Sequence, residues 1–472
     1  MARFGTTSSH QTSVRLRDLW QRLRTPVPTT ARASLDAAWA RVDPQFRTPN
    51  QMFGRHEEGC GATIGVMPRC DFACRGCYLN DTANTTPALS VAAVQSQMDV
   101  LRSHLGPWGN VQLTDGEVSL RNTDEVIEIL QYARQIELIP MLMSHGDTFL
   151  RDPGLLARLM VEGGLEELSL HIDTTQRGRR DRQFRYAETE AELMPLRECF
   201  ADMIRHLRKE TGHTLRVACT VTVTAHNLPE VAEIVRFSQN NADVFRMVGL
   251  LPVAPVGRTE DGIGRIEAAT LWAEISRGLN IEAHNAERLI SNQWLMGHPD
   301  CSRFVIGATI KDGDTPGQFL PISPESDPRD RRVLDAVFDN FAGATFRADR
   351  PAEAIARVLG MILRAPHLFF WLLPAASWGW LKRLSPDHPF GLAWRVVTGR
   401  VRIHRFAITA HHFMGAQEMA SKTGQSRIKH CAFQVAIDGE LHSMCEVNAT
   451  GLRKNFYAGI AREAADALDS AA

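Results

Sequence analysis

Between residues 61 and 258, short apolar runs alternate with segments whose apolar positions recur at helical spacing. The runs are Ala62–Met67, Val111–Thr114, Ile139–Ser144, Glu167–Ile172, Leu215–Thr224 and Val244–Val253. Between them, Thr123–Arg134, Leu155–Glu162, Pro195–Lys209 and Leu228–Asn240 read as amphipathic helices. Strands alternating with helices predict βαβ units and a parallel sheet. Six such units predict the α/β class and a partial (β/α)6 TIM-like barrel, whose chemistry gathers at the C-terminal ends of the strands.

The flanks read differently. Residues 1–54 carry eight Arg against three Asp and are punctuated by Pro26, Pro28, Pro44 and Pro49, predicting a basic lead-in of one or two short helices and a linker. Residues 55–260 form the core barrel. Residues 261–400 form a helical and apolar extension, with a helix over Ala268–Leu279 and a polar loop over Lys311–Arg332. Residues 401–472 return to a mixed α+β pattern. Within the extension, Leu359–Leu381 is strongly apolar and aromatic, with Phe369, Phe370, Trp371, Trp378 and Trp380. Its stretch Ala365–Leu381 has no charge, but a spanning helix needs about 20 residues and Pro366 and Pro374 interrupt this one. A buried hairpin, an interfacial anchor in peripheral contact with a membrane through 359–383, and a transmembrane helix all remain open.

The chain has 472 residues, 44% of them apolar and 23% charged, with a formal net charge of −1. That balance fits a folded globular protein and gives no global basic field for nucleic acid. No apolar leader precedes the barrel, so a cytoplasmic protein is expected, with membrane association left open. Nine cysteines, three of them tightly clustered, point to metal ligation rather than a disulfide framework. Cys199 and Cys219 lie in apolar helix and strand patterns and are expected in the core.

The cluster lies after the first strand, in Met67-Pro-Arg-Cys-Asp-Phe-Ala-Cys-Arg-Gly-Cys-Tyr78, spaced C-x3-C-x2-C. Zinc wants four ligands, and none sits at knuckle spacing to make the fourth. A 4Fe–4S cubane bound by three thiolates keeps one iron open. The segment resembles the signature of the radical S-adenosylmethionine (SAM) superfamily. The resemblance implies that Cys70, Cys74 and Cys77 bind a 4Fe–4S cluster whose open iron chelates SAM. Reductive cleavage then gives methionine and a 5′-deoxyadenosyl radical, with an electron donor such as ferredoxin or flavodoxin.

Later strand ends extend the resemblance. Gln112-Leu-Thr-Asp-Gly-Glu-Val-Ser119 is similar to the Gly-Gly-Glu motif that receives the SAM amino group, with Asp115 in place of the first Gly beside Gly116 and Glu117. Tyr78 would sit beside the cluster. Ser144, in Met143-Ser-His-Gly-Asp147, is a candidate contact to SAM. His171 and Asp173 fall on one strand face by period two and are candidates for the ribose or the substrate. The sixth strand ends in Pro252-Val-Ala-Pro-Val-Gly-Arg258, similar to the branch containing tetraether lipid synthase and the class D radical SAM methyltransferases. In that branch, C-terminal cysteines hold auxiliary Fe–S clusters. Here an Asp438-Gly439 hairpin is expected to bring Cys431 and Cys445 together, and Cys301 is the third candidate ligand for a second Fe–S cluster, with structural thiols as the alternative.

These features imply C–H activation, by C–C coupling or methylation, of an apolar, lipid-like substrate. Radical modification of a peptide is the alternative. A non-enzymatic Fe–S electron carrier would need none of the SAM-site motifs.

Overall fold

The computed structural model describes residues 16–471, apart from 265, 282–286, 288, 291, 313–314, 326 and 348–349. Six parallel strands build the core: β1 (Cys60–Thr63), β2 (Asn110–Leu113), β3 (Ile139–Ser144), β4 (Glu167–His171), β5 (Arg216–Val223) and β6 (Phe245–Pro252). Helices Thr123–Gln135, Pro153–Val161, Met194–Thr211 and Val231–Asn240 stand between them, each at the place its periodicity predicts. Their apolar stripes pack on the strands in one continuous core that includes Met98, Leu130, Phe149, Phe200, Val221 and Trp272. This is the partial TIM-like barrel expected from the alternation.

Two later strands join the same sheet. β10 (Ile403–His411) pairs in parallel with β6, and β11 (Phe433–Ile437) pairs in parallel with β1. The run β11-β1-β2-β3-β4-β5-β6-β10 is therefore parallel throughout, and the C-terminal region extends both edges of the barrel sheet. β11 turns through Asp438 and Gly439, both at positive φ (51° and 83°), into the antiparallel β12 (Glu440–Ser443). Two left-handed residues are what a two-residue hairpin requires.

Lys311–Arg332, expected as a loop, is mostly ordered. β8 (Ser302–Asp312) and β9 (Thr315–Pro321) form an antiparallel hairpin, and Pro328–Phe341 is a helix. Polar positions mislead here because β8 and β9 form an outer ladder beyond β10, where one face needs no apolar cover. β7 (Trp294–Met296) closes that edge. Cys219 is buried on β5, but Cys199 is exposed. The helix Met194–Thr211 buries Leu196, Phe200, Ile204 and Leu207, and position 199 falls off that stripe.

Candidate functional site

The cysteine loop lies over the C-terminal ends of the parallel strands and is held by backbone bonds from several of them. After β4, the carbonyls of Thr175 and Arg177 accept from the amides of Arg75 and Ala73, each at 2.8 Å. After β6, Arg258 N donates to Cys77 O and Glu260 N to Arg75 O, each at 2.8 Å. After β2, Glu117 N donates to Arg69 O at 2.8 Å. Gly116 (φ 45°) lies directly under the loop: a Cβ there would sit 2.3 Å from Arg69 O and 2.4 Å from Met67 O. Only glycine allows that approach.

The loop gathers its three thiols. Burial pushes Cys70 up to about 12 and Cys74 well above the ordinary thiol value, and each lies close enough to Cys77 for that thiol to add to the rise. The Arg258 guanidinium lies 3.5 Å from Cys77 Sγ. Three thiols on a rigid, partly covered loop, with a cation beside one of them, fit a three-thiolate cubane. Cys70, Asp71 and His145 also bring their ligand atoms within 4.8 Å of one another, the only such group of three among the described residues. There His145 Nε2 is already bonded to Asp71 Oδ1 at 2.9 Å.

Around the loop, β2 and β3 end in a buried polar network. Glu117 Oε1 accepts from Ser144 Oγ at 2.6 Å, and Glu117 Oε2 accepts from His145 N at 2.9 Å. The His145 ring stacks on Phe72 of the cysteine loop, centroids 3.7 Å apart and planes parallel to 1°. Ser144 and Glu117 are thus brought together as the sequence motifs suggest. His145, one residue along, was not singled out, although its motif held it. Asp115 turns away from this network. It accepts from Gly65 N and pairs with Arg453, 338 residues later. Its φ of 80° is the left-handed conformation of the glycine it replaces in the motif.

Past β4, Asp173 accepts from Thr175 N and from Thr222 N, each at 2.9 Å. Burial raises it to about 6, with Glu190 adding to the rise. Burial lowers His171 to about 4, and neighbouring His145 adds to that shift. Tyr78, following the third cysteine, shares a hydrogen bond of 2.8 Å with Thr114 Oγ1 and lies 4.8 Å beneath the Arg453 guanidinium. Tyr78, Glu117, Ser144, His171 and Asp173 therefore lie at four neighbouring strand ends, with Glu117 near Cys70 and Asp173 near Cys74.

Over 203 residues the chain is 26% identical to 7,8-dihydro-6-hydroxymethylpterin dimethyltransferase of Methanocaldococcus jannaschii, covering 42% of this chain and 37% of that protein. That similarity supports the resemblance of the cysteine loop to the radical SAM signature. A radical SAM protein takes a 4Fe–4S cluster and SAM as cofactors, and the three thiols on the loop after β1 fit the cluster. The match spans little more than a third of the relative's length. Solved structures of anSMEcpe with bound AdoMet align at a TM-score of 0.34 and 10% identity, over 49% of this chain and 61% of theirs. Another, with bound AdoMet and a peptide, aligns at 0.33 and 10%, over 47% and 58%. No family model matches the chain.

A second group of thiols lies apart from the first. Burial drives Cys431 far up, and nearby Cys445, Cys301 and Cys60 add to the rise. Cys445 is pushed up to about 11, chiefly by burial, and Cys301 also contributes. Met414 N points at Cys445 Sγ at 3.4 Å, and Arg427 Nε lies 3.3 Å from Cys301 Sγ. Cys431 precedes β11, Cys445 follows β12 and Cys301 precedes β8, so the two edges of the curled sheet bring them together.

Proposed function

We propose that this chain cleaves SAM reductively and uses the product radical for C–H functionalisation of an apolar, lipid-like substrate, by methylation or C–C coupling. The observation that carries the reading is the loop of Cys70, Cys74 and Cys77, clamped over the ends of the parallel strands by backbone bonds from 117, 175, 177, 258 and 260. When bound, the cluster supplies the electron that splits SAM into methionine and a 5′-deoxyadenosyl radical. A reduced ferredoxin or flavodoxin fits as donor.

The protein's own residues have distinct parts. Glu117 is a buried carboxylate, bonded to Ser144 and His145, that presents negative charge where the amino group of SAM is received. Asp173 and His171 border the same space and fit the ribose hydroxyls or the substrate. Tyr78 packs with Cys70, Cys77, Leu79 and Tyr457, which keeps water from that side of the loop. The pterin methylation in the relative's name supports the methyl-transfer form of the reading. The exposed aromatic helices after residue 350 support an apolar substrate. Auxiliary-cluster binding by Cys301, Cys431 and Cys445 belongs to the same proposal, supported by their convergence and burial.

The test is anaerobic reconstitution with iron and sulfide, then SAM and dithionite, with 5′-deoxyadenosine read by chromatography. Wild-type protein should form it, and the protein with all three loop cysteines changed to Ala should not. Equal formation by both proteins would remove the cluster from this loop.

A further inference from the structure

Soluble proteins turn the apolar stripe of a helix inward. Three helices here turn one outward. On Pro351–Arg364, Ile355, Leu359 and Leu363 are 61%, 49% and 73% exposed, at spacings of four. On Pro389–Val397, Phe390, Trp394 and Val397 are 76%, 64% and 80% exposed, at spacings of four and three. On Leu16–Arg24, Leu16 and Trp20 are both exposed. Between the first two, Phe370 and Trp371 stand out at the turn into Leu373–Leu384. Scattered apolar side chains are normal on a surface, but three outward apolar stripes, two of them with aromatic side chains, are not.

The opposite faces of these helices are already committed. Gly360 meets the backbone of Leu23, where a Cβ would sit 2.2 Å from the carbonyl oxygen, and Arg357 donates to Pro26 O at 2.7 Å. Leu368 and Ala376 pack inward against Val333 and Phe341. Trp380 Nε1 and Arg383 bind the buried Asp330, fixing the middle helix. The outward stripes are therefore held outward by the fold.

Their surroundings are basic. Between residues 350 and 402 the acidic residues are Glu353 and Asp387, against Arg350, Arg357, Arg364, Lys382, Arg383, Arg395, Arg400 and Arg402. Arg364, Lys382, Arg400 and Arg402 are exposed. Among the described residues no single helix is long and apolar enough to cross a membrane, and the two halves of the most apolar stretch are bent by 94°. Apolar and aromatic stripes, a basic surround and no spanning length together match a helix group lying in a bilayer interface.

We propose that the stripes of Leu16–Arg24, Pro351–Arg364 and Pro389–Val397, with Phe370 and Trp371, dock this protein on the surface of an anionic lipid bilayer. Aromatic side chains sink to the level of the headgroups, and the exposed Arg and Lys side chains meet lipid phosphates. Docking does not rest on the substrate reading above: these stripes would hold the chain at a bilayer even if the substrate were water-soluble.

The test floats full-length reconstituted protein with phosphatidylcholine vesicles, with and without phosphatidylglycerol. Wild-type protein should float with the anionic vesicles and far less with the neutral ones, and added salt should weaken its binding. The double variant Phe370→Ser, Trp371→Ser should bind at least about tenfold more weakly. Circular dichroism and 5′-deoxyadenosine formation without vesicles should match wild type, which separates failure of docking from failure of the enzymatic reading. A single variant, Trp394→Ser, should lose part of the binding if the double variant proves unstable. Absence of wild-type protein from the floated fraction would overturn the proposal. So would a concentration-dependent dimer abolished by the double variant, because the stripes would then belong to a second copy.

Discussion

Arg453, on the C-terminal helix Leu452–Ala471, pairs with the buried carboxylate of Asp115 at the turn after β2. The same guanidinium donates to Asn448 Oδ1 at 2.9 Å and lies over the ring of Tyr78. One side chain thus ties the last helix to both the turn that carries Glu117 and the residue after the third cysteine. In the Gly-Gly-Glu motif that this turn resembles, glycine stands where this chain has Asp115. A carboxylate there is buried and needs a cation, and Arg453, which brings one, lies at the far end of the sequence.

Removing that cation should be costly. Arg453→Met leaves Asp115 buried without its partner, a change of about 3–5 kcal/mol in a typical protein. Urea unfolding should show a clear drop in midpoint. Asp115→Asn in the Arg453→Met background should recover part of it, because the uncompensated charge is gone and Asn tolerates positive φ. An Arg453→Met midpoint equal to wild type would mean the pair holds nothing.

Glu117 gives a second prediction. Glu117→Gln keeps the shape of the side chain and removes its charge. Loss of one charge-assisted hydrogen bond to the amino group of SAM costs about 1.5–3 kcal/mol, roughly ten- to hundredfold in affinity. Calorimetric titration of reconstituted protein should show it, with iron content unchanged. Undiminished affinity would take Glu117 out of the SAM site.

The barrel was legible because its signal is periodic and local. β3 was read to the residue, and the helix read over Thr123–Arg134 runs to Gln135. The cysteine loop and the Asp115-Gly116-Glu117 turn were legible because each sets distinctive residue types at short spacing within one segment. Three things were not. Arg453 could not be paired with Asp115, since nothing local marks a contact made across the whole chain. The parallel pairing of β10 with β6 and β11 with β1 was hidden because edge extension depends on tertiary packing, not on the strands' own pattern. The β8–β9 hairpin was hidden by its polar outer face. The apolar extension was read as apolar, but periodicity alone cannot say which face of a helix is turned outward.

The second thiol group is tested by iron counting. With Cys70, Cys74 and Cys77 replaced by Ala, reconstituted protein should keep about four irons if Cys301, Cys431, Cys445 and one further ligand hold a cubane. Cys60, near enough to raise Cys431, is the first candidate for that ligand. Adding Cys431→Ser should remove the iron. Near-zero iron in the triple-Ala protein would make these three thiols structural.

Acid should probe the buried histidines. His411 shares hydrogen bonds with Ser302 Oγ at 2.7 Å and Thr409 Oγ1 at 3.1 Å, and burial lowers it to about 4. His104 is lowered to about 4 by burial and by Arg41, whose Nη1 lies 3.3 Å from its Nε2. An unfolded histidine titrates near about 6.5. Between about 6.5 and about 4 the unfolded chain therefore binds more protons than the folded one, so these histidines cost stability as pH falls through that window. Above it they contribute no slope. Asp173, raised to about 6, acts in the opposite sense over part of the same window, and so does Glu58, raised to about 8. The total stability curve can therefore be shallow, and the informative quantity is a difference between proteins. His411→Gln keeps a hydrogen-bonding side chain but cannot titrate. Its melting temperature should lie below that of wild type at pH 7, and the gap should narrow steadily towards pH 4.5 as the wild type loses what its neutral histidine supplied. A gap that stays constant across that range would show that His411 carries the same proton in the folded and unfolded chain.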